Sequence, residues 1–287
     1  MKISAIISDY DGTICPTSSI YSKVNPIPED LYSILLKISS KIPVCILSSK
    51  SFDFLATSCT FAKIISCILG IETIVFSERS DLKKTGYSTS HVLDEYSTSF
   101  YIYDKEKLLS NSPILEDLSV RIMERFGDLR IEKKYTFKEN VLAGLTFDYR
   151  HLLKWENYKS NIEPIILNRI NEYIKNNSLH LNDINVKTYI SHPFIDIYST
   201  NFDKGMALDK IRQILNFDNN EKILYLGDSE NDIPAFLKAD LSINVHSDER
   251  INTSLKTHYG LEFNELTNFL TRLHDLDFHF SNMLSMN

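Results

Sequence analysis

The chain is short of cysteine, of basic charge and of long apolar runs, and each shortage excludes a class of protein. Among its 287 residues there are four cysteines, Cys15, Cys45, Cys59 and Cys67. None is spaced as C-x-x-C, and the chain beyond Cys67 has none at all. A disulfide or zinc framework is therefore not expected; buried thiols in a reducing cytosol are. Lys and Arg number 31 against 38 Asp and Glu, giving a net charge of −7 and a pI near 5.6. With no basic run against that balance, neither nucleic acid nor an acidic membrane surface is an expected partner. Only six residues separate Lys2 from Asp9, too few for the apolar core of a signal peptide. The most apolar stretch, Phe61 to Val75, is cut by Lys63 and Glu72, so no membrane span is expected. There is no internal repeat and no low-complexity segment. A hydrophobic content of 43% with 24% charged residues is ordinary for a globular protein. The expectation is a cytoplasmic protein of one large or two modest domains, acting as a monomer or small homo-oligomer.

What is present starts at Ile3-Ser-Ala-Ile-Ile-Ser-Asp9-Tyr-Asp11-Gly-Thr13. A β-branched apolar run ends in two acids and a glycine, as a central strand of a parallel sheet does. Pro28 precedes Leu31, Ile34, Leu35 and Ile38, the spacing of an amphipathic helix with Glu29 and Asp30 in its first turn. Pro43 to Leu47 predicts a second strand ending at Ser48-Ser49-Lys50. A helix over Phe52 to Ala62 and a strand over Ile64 to Leu69 continue the alternation. Strands alternating with helices specify an α/β fold with a parallel sheet.

Near residue 80 the pattern changes. Ile114 to Phe126 predicts a helix closed by Gly127, followed by paired strands at Ile131 to Phe137 and Val141 to Tyr149. In the second strand Val141, Ala143, Leu145, Phe147 and Tyr149 alternate onto one face. A helix with Ile162, Ile165, Ile166, Ile170 and Ile174 on one side follows, Pro164 in its first turn. Val186 to Ile190 and Phe194 to Tyr198 form a further pair. This is an α+β pattern, expected as an inserted domain at residues 81–190, with residues 1–80 and 191–287 forming the α/β core. From Lys204 the alternation returns: a helix over Gly205 to Leu215, then Lys222-Ile-Leu-Tyr-Leu-Gly227-Asp228, a strand ending in another acid.

Four strand ends or loop starts thus present polar groups: Asp9 with Asp11, Ser48 with Ser49, Lys204, and Asp228 with Asp232. Neighbouring carboxylates repel, and a hard divalent cation with oxygen ligands, Mg²⁺, is the usual reason to keep them together. Ser48 and the N–H groups after it suit a phosphate, and Lys204 adds a point charge. Such a set neutralises a phosphoryl group enough for a carboxylate to attack it. Asp9 is the candidate nucleophile, forming an aspartyl-phosphate, and Asp11 the candidate general acid and base. Ser48 and Ser49 equally suit capping of the helix that follows them. His274-Asp275-Leu-Asp277-Phe-His279 resembles a metal cluster in composition, but its place at the end of a terminal helix favours a solvated tail.

Asp9-Tyr-Asp11-Gly-Thr13 resembles the D-x-D-G-T motif of the haloacid dehalogenase superfamily. Leu47-Ser48, Lys204-Gly205 and Gly227-Asp228-Ser229-Glu230-Asn231-Asp232 resemble its second, third and fourth motifs, in order and across nearly the whole chain. The resemblance implies a doubly wound α/β core, with Mg²⁺ held by Asp9, the Asp11 carbonyl and Asp228 and with Asp232 an outer or additional acidic ligand. It implies Asn231 as a helper in placing Lys204, and Gly12, Thr13, Ser48 and Ser49 as phosphate-contacting residues. An acid at position 11 points to hydrolysis of a phosphate monoester or to phosphoryl transfer within a sugar phosphate. The insertion between the second and third motifs is similar to the type IIB cap of sugar-phosphate phosphatases. Gly144 to Arg150 and Phe202 to Leu208 resemble segments of trehalose-6-phosphate phosphatases, which makes Arg150 a candidate substrate contact. Asp148 stands where those enzymes carry His, and Ser48-Ser49-Lys50 where they carry S-G-R. Trehalose 6-phosphate is the first expectation for the substrate. Sucrose phosphate, mannosyl-phosphoglycerate, a phosphomutase reaction and a non-catalytic sugar-phosphate-binding subunit remain alternatives.

Overall fold

A computed structural model describes residues 1–16, 26–76, 98–127, 129–152, 155–176, 184–190, 192–246 and 255–281. The chain divides into two compact units, Met1–Tyr101 with Asp203–Asn287, and Ile102–Phe202. The junction expected at residue 80 lies outside the described residues, and the one expected at 190/191 borders residue 191, which also lies outside them.

The chain enters the first unit through β1 (Ala5–Ser8), α1 (Glu29–Ser39), β2 (Val44–Leu47), α2 (Phe52–Ala56), β3 (Ile64–Cys67), β4 (Glu72–Phe76) and β5 (Thr98–Ile102). The second unit holds α3 (Lys105–Arg125), β6 (Arg130–Tyr135), β7 (Leu142–Asp148), α4 (Trp155–Asn176), β8 (Asn185–Thr188) and β9 (Phe194–Tyr198). The first unit is completed by α5 (Lys204–Ile214), β10 (Ile223–Gly227), α6 (Ile233–Phe236), β11 (Leu241–His246), β12 (Tyr259–Glu262) and α7 (Leu266–Asp275).

In the first unit eight strands run in the order β12-β11-β10-β1-β2-β3-β4-β5. Every pairing from β12 to β3 is parallel, whereas β4 runs antiparallel to β3. β1, β2, β3 and β10 are buried along their whole length, as strands covered on both faces must be. Each fully buried Ile or Leu in them contributes about 1.5–3 kcal/mol through area removed from water. The chain winds outward from β1 through β2 and β3, then returns beside β1 and winds the other way through β10, β11 and β12. The reversal falls between β1 and β10, and in such sheets a crevice opens at the carboxyl ends of those two strands. This is the expected doubly wound core.

The reversal into β4 has no turn signal in the first two residues that make it, Ile68 and Leu69. After β3 the backbone is left-handed at Ile68 (φ 52°), Leu69 (φ 59°) and Gly70 (φ 102°). A β-branched residue is among the last expected there. Tertiary bonds hold the turn: Ile68 N–H donates to Lys50 O and Leu69 N–H to Ser48 O, both at 3.0 Å. The helix expected to reach Ala62 stops at Ala56. At the carboxyl end of α7, Phe278 is buried, Ile3 N–H donates to Phe278 O at 2.9 Å, and Lys2 pairs with Asp277 at 2.7 Å. That tail is therefore seated against the amino-terminal segment.

In the second unit four antiparallel strands run β6-β7-β9-β8. One core joins the sheet to the two helices: Leu115, Leu118 and Ile122 of α3, Ile166, Ile170 and Ile174 of α4, and Leu145, Phe147, Ile195 and Ile197 of the strands. Both helices begin a few turns before the sequence indicates, because Pro113 and Pro164 lie inside them rather than at their starts. In β7 the expected alternation holds from Leu145 to Tyr149. A register shift between Lys134 and Tyr135 then puts Leu142 beside Leu145 in this core cluster, while Ala143 is buried too. Asp196 of β9 gathers Thr146 Oγ1 (2.5 Å), Tyr189 OH (2.8 Å) and Tyr198 OH (3.2 Å), with Lys134 Nζ at 3.8 Å; all five side chains are buried.

Candidate active site

The crevice between β1 and β10 is lined by the polar residues that follow those strands. Asp9 N–H donates to Leu226 O at 2.9 Å, so the ladder continues one residue past β1 and aims Asp9 along β10. The chain then turns sharply: Cys15 N–H donates to Tyr10 O at 3.0 Å, and Gly12 N–H to Cys15 O at 2.8 Å. Gly12 takes φ +78°, and a Cβ there would stand 2.0 Å from Asp228 Oδ2. Only glycine supplies both the turn and the close approach of the second acid. Thr13 Oγ1 donates to Asp228 Oδ1 at 3.3 Å.

Lys204 is the first residue of α5, whose start is set by Asp203 accepting from Met206 N–H at 2.8 Å. Its side chain is fully buried, and Nζ lies 2.7 Å from Asp232 Oδ1 and 3.0 Å from Asp9 Oδ1. Burial works against this ammonium, but Asp232 and Asp9 outweigh it and hold its pKa above the usual lysine range.

Asp232 closes the loop after β10 through a capping box in which Ser229 is the partner. Its Oδ2 accepts from Asp228 N–H and Ser229 N–H, both at 3.1 Å, and from Ser229 Oγ at 3.3 Å. Its Oδ1 accepts from Lys204 Nζ at 2.7 Å and Tyr225 OH at 2.5 Å. Gly227 makes room for it, since a Cβ there would meet Asp232 Cγ at 2.6 Å. Five donors occupy this carboxylate.

The other acids are less committed. Asp9 accepts from Lys204 alone, Asp228 from Thr13 alone, and the half-buried Asp11 side chain has no hydrogen-bond partner among the described residues. Burial first, then Asp232 and Asp11, push the Asp9 carboxyl up to about 7 against the pull of Lys204. Burial, Asp232 and Asp9 likewise raise the Asp228 carboxyl well above the usual range. Ligand atoms of Asp9, Asp228 and Asp232 all lie within 4.8 Å of one another. Four acids facing one ammonium in a largely buried crevice are short of positive charge, and a hard divalent cation fits that deficit. Asp9 and Asp228 each keep an oxygen without a donor among the described residues, whereas Asp232 accepts five hydrogen bonds.

Ser48 and Ser49 follow β2. Ser48 is buried and its Oγ accepts from Lys50 N–H at 3.3 Å, while the half-buried Ser49 hydroxyl has no partner among the described residues. Asn231 Oδ1 accepts from Ser229 Oγ at 3.0 Å, whereas Lys204 pairs with the acids Asp232 and Asp9. Arg150 belongs to the second unit, where its exposed guanidinium pairs with Asp148 at 2.8 Å and lies 4.7 Å from the Phe194 ring. The His274–His279 tail forms no metal cluster among the described residues. Sequence reasoning missed two participants, Tyr225 and Ser229. The S-x-x-D spacing of Ser229 and Asp232 could have found the second. For Tyr225 the only signal was one hydroxyl-tipped residue in an aliphatic strand.

A model of the haloacid dehalogenase-like hydrolases matches residues 6–255. No curated protein matches the chain in sequence. Among solved structures, a trehalose-6-phosphate phosphatase related protein is similar with a TM-score of 0.61 and 19% identity, over 95% of this chain and 98% of that one. The C-terminal domain of C. albicans trehalose-6-phosphate phosphatase gives 0.65 and 16%, over 96% and 93%. A sugar phosphatase of subclass IIB gives 0.55 and 10%, over 95% and 98%. At these identities the likeness is one of fold. No helix among the described residues is long and apolar enough to cross a membrane.

Proposed function

The chain belongs to the haloacid dehalogenase-like hydrolases, and we propose that it is a Mg²⁺-dependent phosphatase of a phosphorylated sugar, trehalose 6-phosphate first among them. One observation carries the reading: Asp9 is buried beside Lys204, with one oxygen unbonded, while Asp11 two residues on is half-exposed and has no hydrogen-bond partner among the described residues. The two acids are suited to different work. Asp9 Oδ attacks phosphorus and the bond to the sugar oxygen breaks, leaving an acyl phosphate on Asp9. Asp11 gives its proton to the departing oxygen. As a carboxylate it then takes a proton from water, whose oxygen attacks phosphorus and frees Asp9 and inorganic phosphate. Lys204 holds Asp9 in place and offsets negative charge near the transferring group.

Mg²⁺ would be held by Asp9, Asp228 and the Asp11 carbonyl, and would supply charge neutralisation at the phosphoryl oxygens. Thr13 fixes Asp228 for that task, and Asp232 orients Lys204 rather than binding the ion. Ser48, Ser49 and Gly12 are assigned to the phosphate, and Asn231 to shaping the loop after β10. Choice of the sugar is assigned to the second unit, with Arg150 as a candidate contact.

The test is phosphate release from trehalose, sucrose, mannosyl-glycerate and hexose phosphates, with p-nitrophenyl phosphate as a general probe. Wild type is expected to release free phosphate, with no isomeric sugar phosphate, to lose activity in EDTA and to regain it with Mg²⁺. Asp9→Asn is expected to lose at least about 1,000-fold, as removal of a nucleophile does. Full activity in Asp9→Asn, or indifference to chelator, would refute the assignment.

A further inference from the structure

We propose that Tyr225 is a positioning residue that sets Lys204 against Asp9 by acting through Asp232; its consequence for turnover rests on the phosphatase reading above. Tyr225 is fully buried at the middle of β10, opposite Ile7 of β1. Its ring meets Phe236 edge-on at 5.5 Å. Phenylalanine would make that apolar contact equally well, so packing does not call for the hydroxyl. Burying a hydroxyl costs free energy unless it is bonded, and here its acceptor is ionic. The phenol donates to Asp232 Oδ1 at 2.5 Å, the same oxygen that receives Lys204 Nζ at 2.7 Å.

The sharing of that one oxygen is what matters. Lys204 Nζ stands between two acids, 2.7 Å from Asp232 and 3.0 Å from Asp9. Its three N–H groups suffice for both, but where Nζ rests between them is set by the balance of the two attractions. The backbone and Ser229 donors fix Oδ2 of Asp232, so only Oδ1 can change its hold on the lysine. A phenol donating to Oδ1 withdraws part of its negative charge and one of its lone-pair directions. The ammonium is then drawn less strongly to Asp232 and keeps its second bond to Asp9. Without the phenol, Oδ1 would pull Lys204 away from Asp9.

The experiment is Tyr225→Phe, measured beside wild type, Asp232→Asn and the double variant on p-nitrophenyl phosphate. Loss of one charge-assisted hydrogen bond predicts a fall in kcat of about 10-fold, with KM within about 2-fold. Because the hydroxyl works through Asp232, adding Tyr225→Phe to Asp232→Asn is expected to cost nothing more. A kcat within about 2-fold of wild type, or losses that multiply in the double variant, would overturn the proposal. Asp9→Asn run in parallel separates this from the phosphatase reading, which fails by itself if phosphate release does not depend on Asp9. A crystal structure of Tyr225→Phe decides the positioning in that event. Lys204 Nζ is expected to leave hydrogen-bond range of Asp9, and an unmoved lysine would sink the idea.

Discussion

Thr13 and Asp228 are joined by a hydrogen bond of 3.3 Å across 215 residues of sequence. It ties the loop after β1 to the loop after β10, the two strands between which the sheet reverses its winding. Thr13 is fully buried, so the bond is made out of water. The hydroxyl fixes a carboxylate that, in the proposed function, holds the cation.

Thr13→Val keeps the shape of the side chain and removes the donor. It is expected to cost about 1 kcal/mol of stability. The half-saturating Mg²⁺ concentration for phosphate release is expected to rise about 10-fold, as when a partner that orients a metal ligand is lost. A Mg²⁺ titration checks this, and an unchanged midpoint would separate Thr13 from the cation site.

The Asp9 carboxyl gives the metal-free protein a distinctive pH dependence. Burial, with Asp232 and Asp11, raises it from 3.8 to about 7. Between those values the native state keeps a proton that the unfolded chain has lost. The stabilisation is therefore fully present below about pH 4 and is lost as pH rises through about 7. Asp9→Asn has no such proton to lose. In EDTA its melting temperature should gain on that of wild type from about pH 4 to about pH 7 and the gap should level off above that. A pH-independent gap between the two proteins would contradict the shifted carboxyl.

In the second unit Asp196 is the anion that faces the buried Lys134 ammonium, 3.8 Å away. Asp196→Ala removes it and also takes away an acceptor of the Thr146, Tyr189 and Tyr198 hydroxyls. A loss of about 3–5 kcal/mol is expected, the usual cost of leaving a buried charge uncompensated. Urea unfolding followed by circular dichroism measures it, and a loss below about 1 kcal/mol would show that water reaches Lys134.

Asp9, Ser48 and Asp228 were legible because each is a polar residue at the end of an apolar strand, and strand ends converge in a doubly wound sheet; Lys204 was legible from its place before Gly205 at the start of a helix. Asp9, Lys204, Asp228 and Asp232 meet as that logic requires. Legibility failed where tertiary structure overrode local preference. The helix expected from Ile114 begins at Lys105 and runs through Pro113, and the one expected with Pro164 in its first turn begins at Trp155. Ile68 and Leu69 carry no turn signal, yet both are left-handed, held by bonds to the Ser48–Lys50 loop. Asp232 read as an outer or additional cation ligand, and it does lie with Asp9 and Asp228, their ligand atoms within 4.8 Å of one another; what the sequence does not name is its donors. The five hydrogen bonds that occupy it come from Lys204, Tyr225, Asp228 and Ser229, three of them from its own loop.

The four cysteines all fall in the first unit, every one of them buried, and burial raises the thiols of Cys59 and Cys67 well above their usual range. The second unit has no sulfhydryl at all. An alkylating reagent added to the native protein therefore reports on one half of the molecule only. Its rate of uptake clocks the opening of the catalytic sheet, while the other unit can melt and reseal without leaving a mark.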